Sequence, residues 1–146
     1  MTLTDIIQRK PSAKTLQLWL KKVPYAAFLG IRAELRDSEI LFILPEDRKL
    51  IGNPSLPALH GGVIGAFMEQ AAAFHLIAKM PKPVLPKIIN FSLDYLRPAR
   101  LCDTYALCKL TRQGRLIANV SITAWQEDCD QPNAIARAHF LLPEPA

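Results

Sequence analysis

Cysteine is scarce in this sequence and poorly placed for crosslinking. Cys102, Cys108 and Cys129 are odd in number and form no C-x-x-C pair, which argues against a disulfide framework and a cysteine-built zinc site. Three free thiols are expected. Histidine is equally sparse: His60, His75 and His139 are scattered, form no H-x-x-x-H and lack an acidic cluster, so no metal and no cofactor is expected. None of Ser12, Ser38, Ser55, Ser92 and Ser121 stands in a G-x-S-x-G setting, which removes that form of serine chemistry. There is no internal repeat, no low-complexity tract and no basic run. A net charge of +5 is thin support for nucleic-acid binding without such a run, and no nucleic-acid partner is expected.

No uncharged run within a stretch read as helical is long enough for a membrane anchor. In the one strongly helical apolar segment, Glu69 leaves residues 63–68 as a charge-free run far short of the roughly 20 a span requires, so no membrane partner is expected. Thr2, Thr4, Asp5 and Gln8 interrupt any apolar core in residues 1–10, so these do not read as a signal peptide. The expectation is a soluble cytoplasmic protein. With 146 residues, 50% hydrophobic and 21% charged, residues 1–146 read as one globular domain. A chain of this length buries about two-thirds of its unfolded surface.

What is present is an ordered series of elements. Residues 12–23 predict a short helix with Ser12 as N-cap. Ile31, Ala33 and Leu35 alternate with Arg32, Glu34 and Arg36 before a turn at Asp37-Ser38, and residues 40–44 resume the strand. A connector over residues 45–57 is too broken by proline for regular structure. Residues 60–80 predict one long helix, apolar nearly all round and hence buried, ended by Pro81 and Pro83. Four strands follow. Residues 88–96 set Ile89, Phe91, Leu93 and Tyr95 on one face and Asn90, Ser92 and Asp94 on the other. Residues 104–110 and 116–125 flank a turn in which Gly114 is available for positive φ, and residues 134–142 form the last strand. The sum is an α+β fold in which about six antiparallel strands curl around one helix. A sheet of that size covers only part of such a helix, which predicts a homodimer.

Between residues 63 and 78 the only formal charge is Glu69. A carboxylate on an apolar helix costs several kcal/mol to desolvate unless it is paired, hydrogen-bonded or wet. It either reaches solvent at a seam, pairs with an arginine, or is held for chemistry. The local sequence leaves these open. His60-Gly61-Gly62 stands where the helix begins, and small residues there let a ligand approach unpaired N–H groups suited to a developing oxyanion. His60 itself reads more readily as a local hydrogen-bonding group than as a catalyst. Eight residues separate Gly61 from Glu69, roughly 12 Å along a helix, whereas one reacting carbonyl needs about 3 Å to each. If the two cooperate, they come from two subunits.

Leu59-His60-Gly61-Gly62 with Glu69, Tyr95-Leu96-Arg97-Pro98-Ala99 and Leu29-Gly30-Ile31 together resemble the hotdog-fold acyl-CoA thioesterases of the phenylacetate-degradation type, over roughly residues 24–142. The resemblance implies a helix wrapped by an antiparallel sheet, paired into a dimer and often doubled to a tetramer. It implies that the Gly61 N–H binds the thioester carbonyl and that Glu69, from the opposite subunit, acts as nucleophile or as general base for water. His60, Gly62 and Asn53 are carried over as substrate contacts. The chain departs from the family at three places. The acid is often Asp there. The N-x-x-G-x-x-H-G-G asparagine position is Pro54 here, with Asn53 one residue earlier and Pro57 in place of the glycine. Ala73 stands where relatives carry a water-positioning Ser or Thr.

Hydrolysis of an acyl-CoA to acid and CoA is the implied activity; the alternative is a non-catalytic acyl-thioester-binding hotdog protein. The D-x-x-x-x-H pair of hotdog hydratases has no match. Arg97, Arg100, Arg112 and Arg115 flank strand ends where CoA phosphates can rest, with Arg97 and Arg100 the preferred pair. Phe67, Met68, Phe74, Phe91 and Tyr95 suit an aliphatic or aromatic pocket and equally a core.

Overall fold

The computed structural model describes residues 12–80 and 84–144. The expectations placed on residues 1–10 and on Pro81 and Pro83 fall outside these. Helix α1 (Ala13–Lys22) starts as the sequence predicts, with the Ser12 hydroxyl accepting the Thr15 N–H at 3.1 Å. A second short helix, α2 (Pro24–Leu29), follows; proline opens it, and Gly30 closes it in the left-handed region at φ 71°. The turn is too short to show a helical period, which is why the apolar pattern alone does not reveal it.

Strands β1 (Arg32–Arg36) and β2 (Glu39–Leu44) form the expected hairpin, with Asp37 at φ 55° in its turn. The connector departs from expectation. It contains a 3-10 turn (Arg48–Leu50) capped by the Asp47 carboxylate and then β3 (Ile51–Asn53), which pairs antiparallel with β4 (Ala58–Leu59) just beyond the connector. This small hairpin is local, yet the proline content hid it. Gly52 makes it possible, because a Cβ there would stand 2.6 Å from the His60 Cα.

The long helix α3 (Gly61–Lys79) is followed by β5 (Lys87–Tyr95), β6 (Thr104–Gln113), β7 (Ile117–Trp125) and β8 (Ala134–Leu141). The main sheet has six strands in the order β1-β2-β6-β7-β8-β5, every neighbouring pair antiparallel. Ala106, Ala118, Ala124, Ala134, Ala136 and Ala138 are buried in one core with Phe67, Met68, Phe74 and Leu76 of the helix. Small residues on the central strands let the bulky helix sit close to the sheet. This is the hotdog arrangement expected from the sequence.

Two strand details differ from expectation. A bulge between Ile88 and Asn90 shifts the register of β5, so Ile89 is 53% exposed while Ile88 packs against the core beside Phe91 and Leu93. Gly114 is not in the positive-φ region; its N–H closes the β6–β7 turn on the Ile117 carbonyl at 2.8 Å.

Taken whole, α3 does have the length and apolarity of a membrane span, with 19 residues and a hydropathy of 1.2, contrary to the argument from its charge-free runs. Both properties also belong to the core helix of a wrapped fold, and here the sheet lies against it. Its cover is incomplete. Gly62, Ala66, Glu69 and Ala73, spaced for one helical stripe, are not fully buried within the chain.

Candidate active site

The start of α3 is built by three strands and a strap. His60 caps the helix: its Nδ1 accepts the Gly62 N–H at 2.9 Å. The His60 N–H reaches back to the Leu50 carbonyl at 2.9 Å, and the His60 carbonyl takes the Val63 and Ile64 N–H groups at 3.0 and 3.2 Å. These bonds use every donor of the turn but one. The Gly61 N–H has no intrachain acceptor among the described residues. It is the free helix-terminal donor that the sequence suggests, whereas the Gly62 N–H is engaged by the cap.

Gly61 borders a cavity of ≈ 330 Å³ walled mainly by apolar groups, including Leu59, Ile64, Tyr95, Leu96 and Pro98. Tyr95, at the end of β5, donates its hydroxyl to the Gly61 carbonyl at 2.7 Å. The approach requires glycine: a Cβ on Gly61 would lie 3.1 Å from the Tyr95 Oη and 3.2 Å from Cζ. The strap after Tyr95 is pinned by Asn133. The Asn133 carbonyl accepts the Leu96 and Arg97 N–H groups, and its side-chain amide donates to the Pro98 carbonyl at 3.0 Å. Leu59 then donates to the Ala99 carbonyl at 2.8 Å, which ties the strap to β4 and hence to the helix start. Asn133 and the Tyr95 hydroxyl contact escape the sequence reading, because both act across more than thirty positions.

Glu69 is half-buried, and its carboxylate has no hydrogen-bond or ion-pair partner among the described residues. Of the three readings left open, a pair with an arginine among the described residues is therefore not what holds it. It lies roughly 12 Å from Gly61 along α3, at 1.5 Å per residue, so the chain by itself does not bring the two together. Ala73 is half-buried one turn further on.

Asn53 sits at the end of β3, exposed, with its side-chain oxygen accepting the Ser55 N–H at 3.0 Å, so it shapes the turn of the small hairpin. Arg97 donates from its guanidinium to the Pro132 carbonyl at 2.8 Å and borders the Gly61 cavity. Arg97 and Arg100 share a second cavity of ≈ 330 Å³ with Gln126 and Asn133. Arg112 and Arg115 stand at the far end of β6, a strand of 10 residues and so roughly 30 Å long, beside His139. The four arginines do not form one site within the chain.

Away from this region, burial lowers the His75 imidazole to about 4, with the Lys79 charge a smaller cause in the same direction. Burial likewise pushes the Cys108 thiol far up; Cys102 is raised by burial and then by the nearby Glu127, Asp103 and Glu46. Among the described residues the one acidic and cysteine grouping is the exposed Asp128, Cys129 and Asp130.

A Chromobacterium violaceum protein of solved structure is 41% identical over 99% of this chain and 98% of its own, with a TM-score of 0.76. A phenylacetic acid degradation-related protein of Ralstonia eutropha JMP134 is 20% identical over 88% of this chain and 97% of its own, with a TM-score of 0.76. A Bacillus halodurans protein crystallised with CoA is 15% identical over 98% and 93%, with a TM-score of 0.75. Comparison with curated proteins finds no match. The family description "Thioesterase superfamily" matches residues 56–132, a stretch that takes in β4, the His60-Gly61-Gly62 helix start, Glu69 and the Asn133-pinned strap, and the chain belongs to that superfamily.

Proposed function

We propose that the chain is an acyl-CoA thioesterase of the phenylacetate-degradation type, working as a homodimer or a dimer of dimers with Glu69 of one subunit facing Gly61 of the other. The observation that carries the reading is a half-buried carboxylate with no partner among the described residues, on the same helix as a free N-terminal amide but about 12 Å away. Two antiparallel helices bring such a pair within reach of one carbonyl at each of two equivalent sites. β5 supports the pairing, as an edge strand bonded on one side only to β8. The uncovered stripe containing Glu69 supports it as well.

The Gly61 N–H receives the thioester oxygen as it gains negative charge. Glu69 either attacks the carbonyl carbon, giving an anhydride that water then opens, or takes a proton from a water whose oxygen attacks. In both routes the C–S bond breaks, CoA leaves as a thiolate that gains a proton, and the acyl group departs as the acid. The donor contributes about 3 kcal/mol and a general base about 10² to 10⁴ in rate. Arg97 and Arg100 bind the CoA phosphates, a role in keeping with the CoA held by the Bacillus halodurans relative. Purified protein is assayed against an acyl-CoA panel by thiol release, and its mass measured by light scattering. Release of CoA that disappears in Glu69→Gln, from a dimer or tetramer, is expected; no turnover of any member, or a monomer, overturns the proposal.

The apolar Ala73 and the use of the Asn53 side chain in its own turn favour a second reading, a binder of acyl-CoA that does not hydrolyse it. Binding without release in the same panel identifies it.

A further inference from the structure

An oxyanion donor is useful only while its N–H direction is held, and the first N–H groups of a helix lack the intrahelical bonds that hold the rest. Upstream of the Gly61 N–H, the peptide is fixed by the Leu50 and Val63 contacts of His60. Downstream, the Gly61 carbonyl is held from outside the helix by the Tyr95 hydroxyl at 2.7 Å. We propose that Tyr95 is a positioning residue that sets the direction of the Gly61 N–H; the inference rests on the thioesterase reading and assigns the residue that keeps its oxyanion donor aimed.

The ring is placed by anchors on both sides. Tyr95 pairs with Ala134 across β5 and β8, and the two N–H groups that follow it both end on the Asn133 carbonyl. Before it, β5 packs on the helix at Gly65, where a Cβ would meet the Leu93 Cδ2 at 3.3 Å. The hydroxyl therefore reaches the Gly61 carbonyl from a backbone held by hydrogen bonds, although β5 is an edge strand. Glycine at position 61 serves this contact as well as the ligand, since a methyl group there would crowd the same hydroxyl.

Tyr95→Phe keeps the ring and removes the bond. The chain holds six glycines, so labelling them with ¹⁵N gives a short amide spectrum in which Gly61 is assigned by its loss in Gly61→Ala. In Tyr95→Phe the Gly61 signal is expected to shift and to exchange faster with solvent. kcat on the best acyl-CoA falls about tenfold, while KM stays within about twofold. An unmoved Gly61 amide, or an unchanged kcat, overturns the proposal. A loss carried by KM alone assigns Tyr95 to the pocket wall and overturns it too. If the wild type releases CoA from no substrate, the thioesterase reading fails, and the amide signal alone then decides whether Tyr95 orients Gly61.

Discussion

The His60 imidazole accepts the Gly62 N–H at 2.9 Å, and this one bond divides the glycine pair into an engaged amide and a free one. It makes His60 an N-cap. Losing such a cap costs about 1 kcal/mol, a drop of about 3 to 4 °C in Tm for a chain of this size. His60→Ala should show that drop in a thermal melt, and His60→Asn, which can also cap, should recover most of it. Equal loss of turnover in both variants with no change in Tm would instead make His60 a catalytic group.

Glu69→Gln removes a half-buried charge that has no partner among the described residues. The substitution should lower kcat by about 10² to 10⁴ and leave the oligomer intact. Tm should hold or rise slightly, because the desolvation cost of the carboxylate disappears. Calorimetry beside the thiol-release assay checks both; a large fall in Tm would mean that Glu69 is chiefly structural.

His75 gives the fold an acid sensitivity with a defined window. Free imidazole titrates near 6.5 and the buried one at about 4. Between those values the unfolded chain takes up a proton that the folded chain refuses. The His75 contribution is thus complete above pH 6.5 and is lost as pH falls toward 4, by up to about 3 kcal/mol. His75→Leu should shrink the gap between urea midpoints at pH 7 and pH 4.5. An identical gap in both proteins would remove His75 as a source of the acid sensitivity.

The thiols should react in a set order. Cys129 is exposed, while burial raises Cys102 and, far more, Cys108. A disulfide reagent at pH 8 should titrate about one thiol rapidly and the other two only on denaturation, and Cys129→Ser should abolish the rapid phase. Rapid reaction of all three thiols in the native protein would contradict the raised Cys108 thiol, and rapid reaction of two that persists in Cys129→Ser as one would place the second at Cys102 or Cys108 and overturn the order.

Arg97→Gln and Arg100→Gln should each weaken CoA binding and flatten its salt dependence. Arg97 also holds the Pro132 carbonyl, so its substitution should lower Tm by more than that of Arg100. Calorimetric CoA titration over a salt series measures the first effect and melting curves the second. A salt slope unchanged in both variants would take the phosphates elsewhere.

Local chemistry carries much of this protein. The Ser12 cap, the Asp37 turn, the buried helix and the alternating strands depend on residues a few positions apart, and each stands where its pattern in the sequence puts it. The helix-start glycines and the solitary Glu69 were legible for the same reason: one tightens a turn, the other violates an apolar period. The β3–β4 hairpin was hidden by its prolines, and the close approach of Gly52 to His60 that permits it shows only in the folded chain. The bulge that turns Ile89 outward arises from the register between β5 and β8. The separation of Arg97 and Arg100 from Arg112 and Arg115 follows from the length of β6, although all four lie within nineteen positions. Sequence alone therefore determined the longer elements, the apolar helix and the charge that interrupts it, because these rest on short-range periodicity and burial cost. Tertiary structure decided which hydroxyl holds the Gly61 peptide, because that depends on a contact between the end of a strand and the start of a helix 34 residues apart in the chain.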